Sequence, residues 1–527
     1  MTRARKSVGM IPVLAAAVKS IKSVVVNKTN SSITKNVLLC CLSALLLILS
    51  FPKFDLWPLI WVALVPLFLA IDGKRKITST LYAYLTGILF FFGVIYWFVH
   101  VTGIGMIIMV IVFGLYFALF GFFHSFFQNR NKLFSIFLIP ALWVLTEFLR
   151  AHLFSGFDWA SLGHSQYKNL LFIQIADITG VFGISFLIVM VNMIIKDLWV
   201  TKKAGASLLI TVLFFLITLG YGVFQLNQPH SNGKTIKAAV VQANVDQNMK
   251  WNESFWPAIM KKHMHLTRQA AEEQPDVIIW PETSLPNILW EDAYLLNDLI
   301  DFIKTERIPV IVGAVVQEEL DVYYNSALLF LEDGELAGQY NKLHLVPFGE
   351  YIPFRGVFPF LEDIIPIADF TSGQDFTVLS LKGKKISALI CFEDTLSALA
   401  RGFVRQGAEI LVNLTNDAWF KDTKAPYLHM QSASFRTIET RRPLIRAANT
   451  GVSCFIDATG RIQNMVRNEA GKPTYVEGFA VYTMNLNNEE TFYTKFGDIF
   501  TYLCFACFLL GFIIRNDKNK TQISEPR

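Results

Sequence analysis

Long unbroken apolar runs constrain this chain more than any other feature, because about 20 consecutive apolar residues form a helix that can cross a bilayer. Seven such runs precede a region of mixed composition, centred on Lys35–Phe51, Trp57–Ile71, Ser79–Val101, Gly105–Phe127, Leu133–Leu149, Ile178–Ile195 and Ser207–Leu226. An eighth covers Phe496–Ile514, and the second is the shortest and least regular. With 527 residues, 53% of them hydrophobic, and a mean hydropathy of +0.41, the chain is too long for one ordinary domain and too apolar to be wholly soluble. The expected organisation is a basic cytoplasmic segment (1–34), a membrane bundle of seven helices (35–226), an external domain (227–495), an eighth helix (496–514) and a cytoplasmic tail (515–527).

Loop charges orient these spans, since loops rich in Lys and Arg stay in the cytoplasm. Nineteen basic residues, among them Arg3, Lys35, Arg75, Lys132, Lys203 and Arg515, fall on one side, and only Lys53, Arg150 and Lys168 on the other. The N-terminus is therefore expected inside and the domain outside. The net charge of +5 is mainly this topology signal, and no basic patch interleaved with aromatics argues for nucleic acid. The opening MTRARKSVGMIPVLAAAVKS resembles a signal peptide, but Lys19 and Lys22 follow at once, so it reads as an uncleaved basic segment. The Cys504–Cys507 pair lies inside an apolar span without a second Cys or His pair, which argues against a metal site. Glu147 and Arg150 are spaced as a structural i,i+3 pair, which disfavours reading the bundle as a transporter's ion pathway.

The external region alternates strand-like and helix-like stretches. Lys234–Val245, Pro275–Glu282, Ile308–Val316, Asn325–Leu331, Lys385–Cys391, Ala408–Asn416 and Gly451–Asp457 read as strands; Glu253–Glu273, Tyr294–Glu306, Leu396–Gln406 and Leu428–Arg442 read as helices. Continuous apolar strands are expected where both faces of a sheet are covered, so the pattern predicts a layered α/β fold. Only Cys391 and Cys454 of the six cysteines fall in this region, too few for a disulfide framework.

The stretch ISALICFEDT, Ile386–Thr395, ends a strand in a thiol. Alone, such a cysteine is ordinarily an inert core residue. Glu282 after VIIWP and Lys342 in YNKLHLVPFGE also sit at or just beyond strand ends, where layered α/β folds build their sites. Together the three make chemical sense: a thiol is only a few per cent ionised at neutral pH and needs a base or a nearby cation. Glu282 serves as base and Lys342 as cation. His344 and His429 leave a Cys–His pair open as an alternative.

The segments WPET, NKLHLVPFGEYIP, CFED and LVNLTNDAWF resemble the nitrilase (carbon–nitrogen hydrolase) superfamily, and with the flanking spans the whole chain resembles the apolipoprotein N-acyltransferase family. The resemblance implies an αββα sandwich, with Glu282 as general base, Lys342 as cationic stabiliser and Cys391 as nucleophile. Matching family positions are Trp251, Asn325, Glu350, Glu393 and Trp419, while Phe392 stands where many members have Tyr. It implies acyl transfer from a phospholipid, phosphatidylethanolamine first among candidates, through a Cys391 thioester to the N-terminal amine of diacylglyceryl apolipoproteins, without cofactor or metal. It also implies a bacterial inner membrane with the domain on the periplasmic face. The Phe392 N–H and Lys342 would face the oxyanion, one such donor being worth about 3 kcal/mol. An interfacial site spares a roughly 16-carbon acyl chain about 12 kcal/mol of exposure to water. A membrane-tethered amidase acting on a soluble substrate would use the same triad, though it would not need eight spans.

One segment is left over. Leu345–Phe370 holds five Phe, six Ile or Val and four Pro, too apolar for an exposed loop and too broken by proline for a regular element. It is expected to be an arm over the site whose edge at Phe354, Val357, Phe358, Phe360 and Leu361 enters the leaflet, with Glu350 anchoring its base near Lys342; a loop packed onto the sheet is the alternative.

Overall fold

The structure, a computed structural model, describes residues 32–128, 130–203, 205–285, 288–289, 293–353 and 369–513. The N-terminal basic segment, the tail from 514 and the arm residues Phe354, Val357, Phe358, Phe360 and Leu361 lie outside the described residues. Two compact units emerge, one from residues up to Phe224 and from Asp498 onward, the other from Gln225–Gly497.

Among the described residues of the first unit six helices are long and apolar enough to cross a membrane: Ser32–Leu49, Lys76–His100, Gly103–Phe127, Lys132–His152, Val181–Thr201 and Ala206–Leu226. Trp57–Ile71, Leu170–Thr179 and Ile499–Ile513 are shorter apolar helices. The irregular second span breaks at Leu64, between helices Ile60–Ala63 and Val65–Ile71. Pro66 has no N–H to continue the ladder, and Asn192 repairs the gap. Its Oδ1 accepts from the Leu64 N–H at 2.9 Å and its Nδ2 donates to the Ile60 carbonyl at 2.9 Å. Gly180, at φ +63°, ends the Leu170–Thr179 stretch and delays the next long helix to Val181.

Glu147 and Arg150 each reach the connection that follows their helix. Glu147 Oε1 accepts from Trp143 Nε1 at 2.9 Å and the Leu162 N–H at 2.8 Å. Arg150 donates to the Phe157 and Trp159 carbonyls and, at 2.8 Å, to Ser161 Oγ. Both therefore shape the 157–162 connection, which has no helical ladder of its own to satisfy these groups.

Among the described residues the second unit has thirteen strands: β1 Thr235–Gln242, β2 Val277–Ile279, β3 Ile288–Leu289, β4 Val310–Glu319, β5 Val322–Phe330, β6 Leu336–Asn341, β7 Val378–Leu381, β8 Lys384–Ile390, β9 Ile410–Thr415, β10 Leu444–Ala448, β11 Cys454–Ile456, β12 Ile462–Met465 and β13 Gly478–Asn485. One sheet has the order β13-β1-β2-β4-β5-β6 with β3 beside β4, and the other runs β12-β11-β10-β9-β8-β7. The sheets face each other, β1 against β10 and β5 against β8. Ser453 Oγ donates across the gap to Gln242 Oε1 at 2.6 Å. Helices Trp256–Ala271 and Ala293–Glu306 cover the first sheet, with Ile259, Leu266, Leu299 and Ile303 packed in one core with Val241, Ile278 and Val310. Each such apolar side chain, fully buried, contributes about 1.5–3 kcal/mol. Helices Ser397–Arg405 and Ala425–Thr440 cover the second sheet. The result is an αββα sandwich, and every residue of β9 is buried because both its faces are covered.

Candidate active site

β8 ends at Ile390, and Cys391 opens the one-turn helix Cys391–Thr395. Its φ is +54°, a left-handed conformation that costs a non-glycine residue about 1–3 kcal/mol and persists only where neighbours enforce it. Here they do. The Cys391 carbonyl accepts from Asn413 Nδ2 at 3.0 Å, and Glu393 Oε2 accepts from the Ile390 N–H at 2.7 Å. The strand-end position expected for Cys391 is what the structure shows.

Glu282 stands three residues beyond β2, backed by Gly313 of β4. A Cβ on Gly313 would lie 2.4 Å from the Pro281 carbonyl oxygen and 2.7 Å from Glu282 Cα, so the close approach of these backbones requires glycine there. No helix follows Glu282 for it to cap among the described residues. Instead its carboxylate accepts from Asn325 Nδ2 at 2.8 Å and the Asn416 N–H at 2.9 Å. Lys342, one residue past β6, is 1% exposed. Its Nζ lies 2.8 Å from Glu350 Oε2 and 3.8 Å from Glu282 Oε1. Asn325 Nδ2 donates to Glu350 Oε1 at 2.9 Å, joining both carboxylates and the ammonium into one buried cluster. Glu350 also accepts from the Val346 N–H at 2.8 Å, and its carbonyl accepts from the Phe370 N–H at 2.8 Å. Glu350 thereby joins Val346 and Phe370, which lie on either side of it in the sequence.

Glu393 is fully buried and acts as a clamp. It accepts from the Leu343 and His344 N–H groups at 2.8 and 3.0 Å and from Tyr340 Oη at 2.9 Å, tying the Lys342 segment to the Cys391 turn. Phe392 stacks on His344, ring centroids 6.2 Å apart. Of the remaining expected positions, Asn325 belongs to the cluster, whereas Trp251 and Trp419 are half exposed.

His429 is held elsewhere. Its Nδ1 lies 2.9 Å from Asp417 Oδ1, and its Nε2 lies 2.9 Å from Asp394 Oδ1 and 3.3 Å from the Cys391 carbonyl. Arg446 pairs with both aspartates. Despite burial and the nearby Arg446, those carboxylates hold the His429 pKa above the ordinary imidazole value, which favours the charged ring.

Burial and Glu282 push the Cys391 thiol well above the ordinary cysteine range, with Lys342 opposing them. Burial also opposes the Lys342 charge, yet Glu350 and Glu282 outweigh it and hold the group protonated. Burial raises Glu393 to about 7, against the pull of Lys342. Cys454 is pushed up to about 12 by burial. The arrangement is suited to moving a thiol proton onto an adjacent carboxylate beside a fixed ammonium. Among the described residues no group of His, Cys, Asp and Glu is placed to hold a metal ion.

Several contributors were not apparent in the sequence. Asn416 acts on Glu282 through its main chain, which no side-chain motif reveals. Tyr340, Asn413 and Asp394 act by holding other residues, and Lys250 carries no signal that separates it from a solvated lysine.

The family models and the relatives agree with this architecture. The family model described as the apolipoprotein N-acyltransferase N-terminal domain matches residues 43–194, and the carbon–nitrogen hydrolase model matches 237–478. An apolipoprotein N-acyltransferase of Geobacter metallireducens is 36% identical over 90% of this chain and 94% of its own length. One of Haemophilus influenzae is 30% identical over 90% of this chain and 93% of its own. Among solved structures, an amidase from Nesterenkonia sp. AN1 aligns with 51% of this chain and 99% of its own at 15% identity and a TM-score of 0.38. Relatives that run through both the membrane helices and the sandwich do not favour the soluble-substrate amidase alternative: the chain belongs to the apolipoprotein N-acyltransferase family, membrane acyltransferases of the nitrilase superfamily.

Proposed function

We propose that lipoprotein N-acylation runs in this chain through a thioester on Cys391, with Glu282 as general base and Lys342 as the cation facing the oxyanion. The observation that carries this reading is the buried Glu282–Asn325–Glu350–Lys342 cluster beside a cysteine held in a left-handed turn. In the first half-reaction Glu282 takes the thiol proton as sulfur attacks an ester carbonyl of a phospholipid, phosphatidylethanolamine being the first candidate. The oxyanion faces Lys342 and the Phe392 N–H. Its collapse expels the lysophospholipid alkoxide, which recovers the proton from Glu282. In the second half-reaction the neutral α-amine of the diacylglyceryl cysteine attacks the thioester. Glu282 takes the amine proton and returns it to the departing Cys391 sulfur, leaving the amide. This is ping-pong transfer. Glu350 fixes Lys342, Glu393 fixes the turn, and Trp251 and Trp419 contact the lipid substrates at the rim.

Intact-mass measurement of the purified protein after incubation with phosphatidylethanolamine tests the reading. An acyl-sized increment, removed by hydroxylamine and absent in Cys391→Ala, is expected; a persistent increment in that variant rules out the nucleophile. The loop charges support a domain on the periplasmic face of the inner membrane. Single cysteines at Asn232 and Asp422 are therefore expected to react with an impermeant thiol reagent from outside, and those at Arg75 and Lys520 are not. The opposite labelling pattern reverses the topology.

A further inference from the structure

Lys250 ends the one-turn helix Gln247–Lys250 on the segment that follows β1. A lysine on a short turn is ordinarily solvated, yet this one is 3% exposed. Its Nζ points inward and donates to the main-chain carbonyl of Glu282 at 3.0 Å. That is the hydrogen bond it makes among the described residues, so donors of its ammonium remain unspent. Gln247, one turn back, is buried with it. Its Oε1 accepts from Asn416 Nδ2 at 2.8 Å, and the main-chain N–H of the same Asn416 holds the Glu282 carboxylate at 2.9 Å. The short helix thus grips Glu282 from two directions.

A hydrogen bond to a carbonyl does not explain why the donor is a cation. Withdrawing an ammonium from water costs several kcal/mol, and a neutral amide would bond the same oxygen without that cost. Burial does lower the Lys250 pKa, to about 8, and the groups that favour its charge are Glu282 and Cys391. Lys342 faces Glu282, Glu350 and Glu393 together when the thiol ionises. The groups facing Cys391 are Glu282, Glu350 and Asp417, which oppose a thiolate, and Lys342 and Arg446, which favour one. His263 also faces Lys250, and burial depresses its pKa to about 4, leaving it neutral.

We propose that Lys250 is a second cation of the site, a positioning residue whose ammonium, fixed on the Glu282 carbonyl, offsets the negative charge that builds as Cys391 ionises. The proposal rests on the reading of Cys391 as nucleophile. Attraction is mutual: the thiolate that favours a protonated Lys250 is favoured by it in turn. Lys342 then stabilises the reacting oxygen and sulfur from the Glu350 side, and Lys250 does so from the Glu282 side.

The test is the pH profile of Cys391 alkylation by iodoacetamide between pH 6 and 9, read by mass on the full-length protein in detergent. Lys250→Gln keeps a neutral donor and loses the charge; Lys250→Arg keeps the charge. At pH 7 the Gln variant is expected to react about tenfold more slowly than the unmodified protein, the consequence of a thiol pKa about one step higher. The Arg variant is expected within about threefold of the unmodified rate, and the Gln and unmodified rates are expected to converge toward pH 9 as Lys250 deprotonates. Unfolding midpoints recorded alongside restrict the comparison to folded protein. A Gln profile that superimposes on that of the unmodified protein overturns the proposal, because the hydrogen bond alone then suffices. An Arg profile that falls with Gln overturns it as well. Alkylation of Cys391 in the unmodified protein no faster than that of Cys454 sinks the nucleophile reading itself, a result distinct from either.

Discussion

Two sets of buried polar groups, one in each unit of this protein, do opposite work. In the membrane bundle they turn to the backbone: Asn192 serves Leu64 and Ile60, Glu147 serves Leu162, and Arg150 serves Phe157 and Trp159. In the sandwich they turn to one another, as in the Lys342–Glu350–Asn325–Glu282 cluster. The first kind closes gaps where a ladder is broken in lipid. The second holds charges ready in a dry site, at a cost that folding alone does not require. Removing a group of the second kind should therefore abolish chemistry, and removing one of the first kind should cost stability.

The largest effects test the second kind. Cys391→Ala and Glu282→Gln are each expected to lower acyl transfer by at least about a thousandfold, as loss of a nucleophile or its base does elsewhere, while the unfolding midpoint of the purified protein changes little. Lys342→Ala should lose activity to the same degree and also about 3–5 kcal/mol of stability, because it leaves Glu350 and Glu282 buried beside no ammonium. Cys454→Ala should be nearly silent in turnover. A folded but inactive Cys454→Ala, or an active Cys391→Ala, breaks the assignment.

Next come the bundle residues. Asn192→Leu leaves the Leu64 N–H and the Ile60 carbonyl unpaired, at about 1–3 kcal/mol for each group. The expected outcome is a lower thermal midpoint and yield in detergent, with Cys391 alkylation per folded molecule unchanged. A slowed alkylation at an unchanged midpoint would show that bundle polar groups take part in chemistry and would erase the distinction.

A smaller and more selective effect is expected where the backbone alone positions a reacting group. In Gly313→Ala the new methyl meets the Pro281 carbonyl and Glu282 Cα, so the base must move by several tenths of an ångström. Misplacement on that scale costs up to about a hundredfold in kcat. Acyl transfer should fall while binding of phospholipid vesicles by the purified protein is retained. Unchanged kcat would show that the Glu282 backbone has room to spare.

The same contrast explains what was legible in the sequence. Spans are written in composition, so the long helices were found within a few residues; the break at Leu64 was harder, because it depends on Asn192 from a helix 128 positions away. In the sandwich, β3, β6, β7, β10, β12 and β13 were not recognised as strands. β6 contains Gly338, Gln339 and Asn341, and β10 carries Arg446 in the middle of a sheet, where its charge is matched only by Asp394 and Asp417 among the described residues. Glu282, Lys342 and Cys391 were legible because each follows a strand-like run or a recognisable motif. Asn416 and Lys250 were not: one acts through its main chain, and the other looks like any surface lysine until its burial is known.

The smallest expected effect concerns the network beneath the nucleophile, where the second kind of polar group does a structural task. With His429 protonated, two cations and two anions balance among Asp394, Asp417, Arg446 and His429, all at most 1% exposed. His429 Nε2 and Asn413 Nδ2 both reach the Cys391 carbonyl, so this balance steadies the strained turn. Because the folded His429 pKa is raised, the folded state holds its proton where the unfolded state has released it. The stabilisation is thus complete below the unfolded histidine value of about 6.5 and is lost as pH rises through the folded value, at about 1.4 kcal/mol per pH unit while only the folded state is protonated. In the full-length protein, the unfolding midpoint of the unmodified chain should exceed that of His429→Gln most at pH 6, and the gap should narrow toward pH 9. A gap independent of pH would mean that His429 is held neutral, and the network would then carry a net negative charge directly under the thiol, removing the physical basis for its role in steadying Cys391.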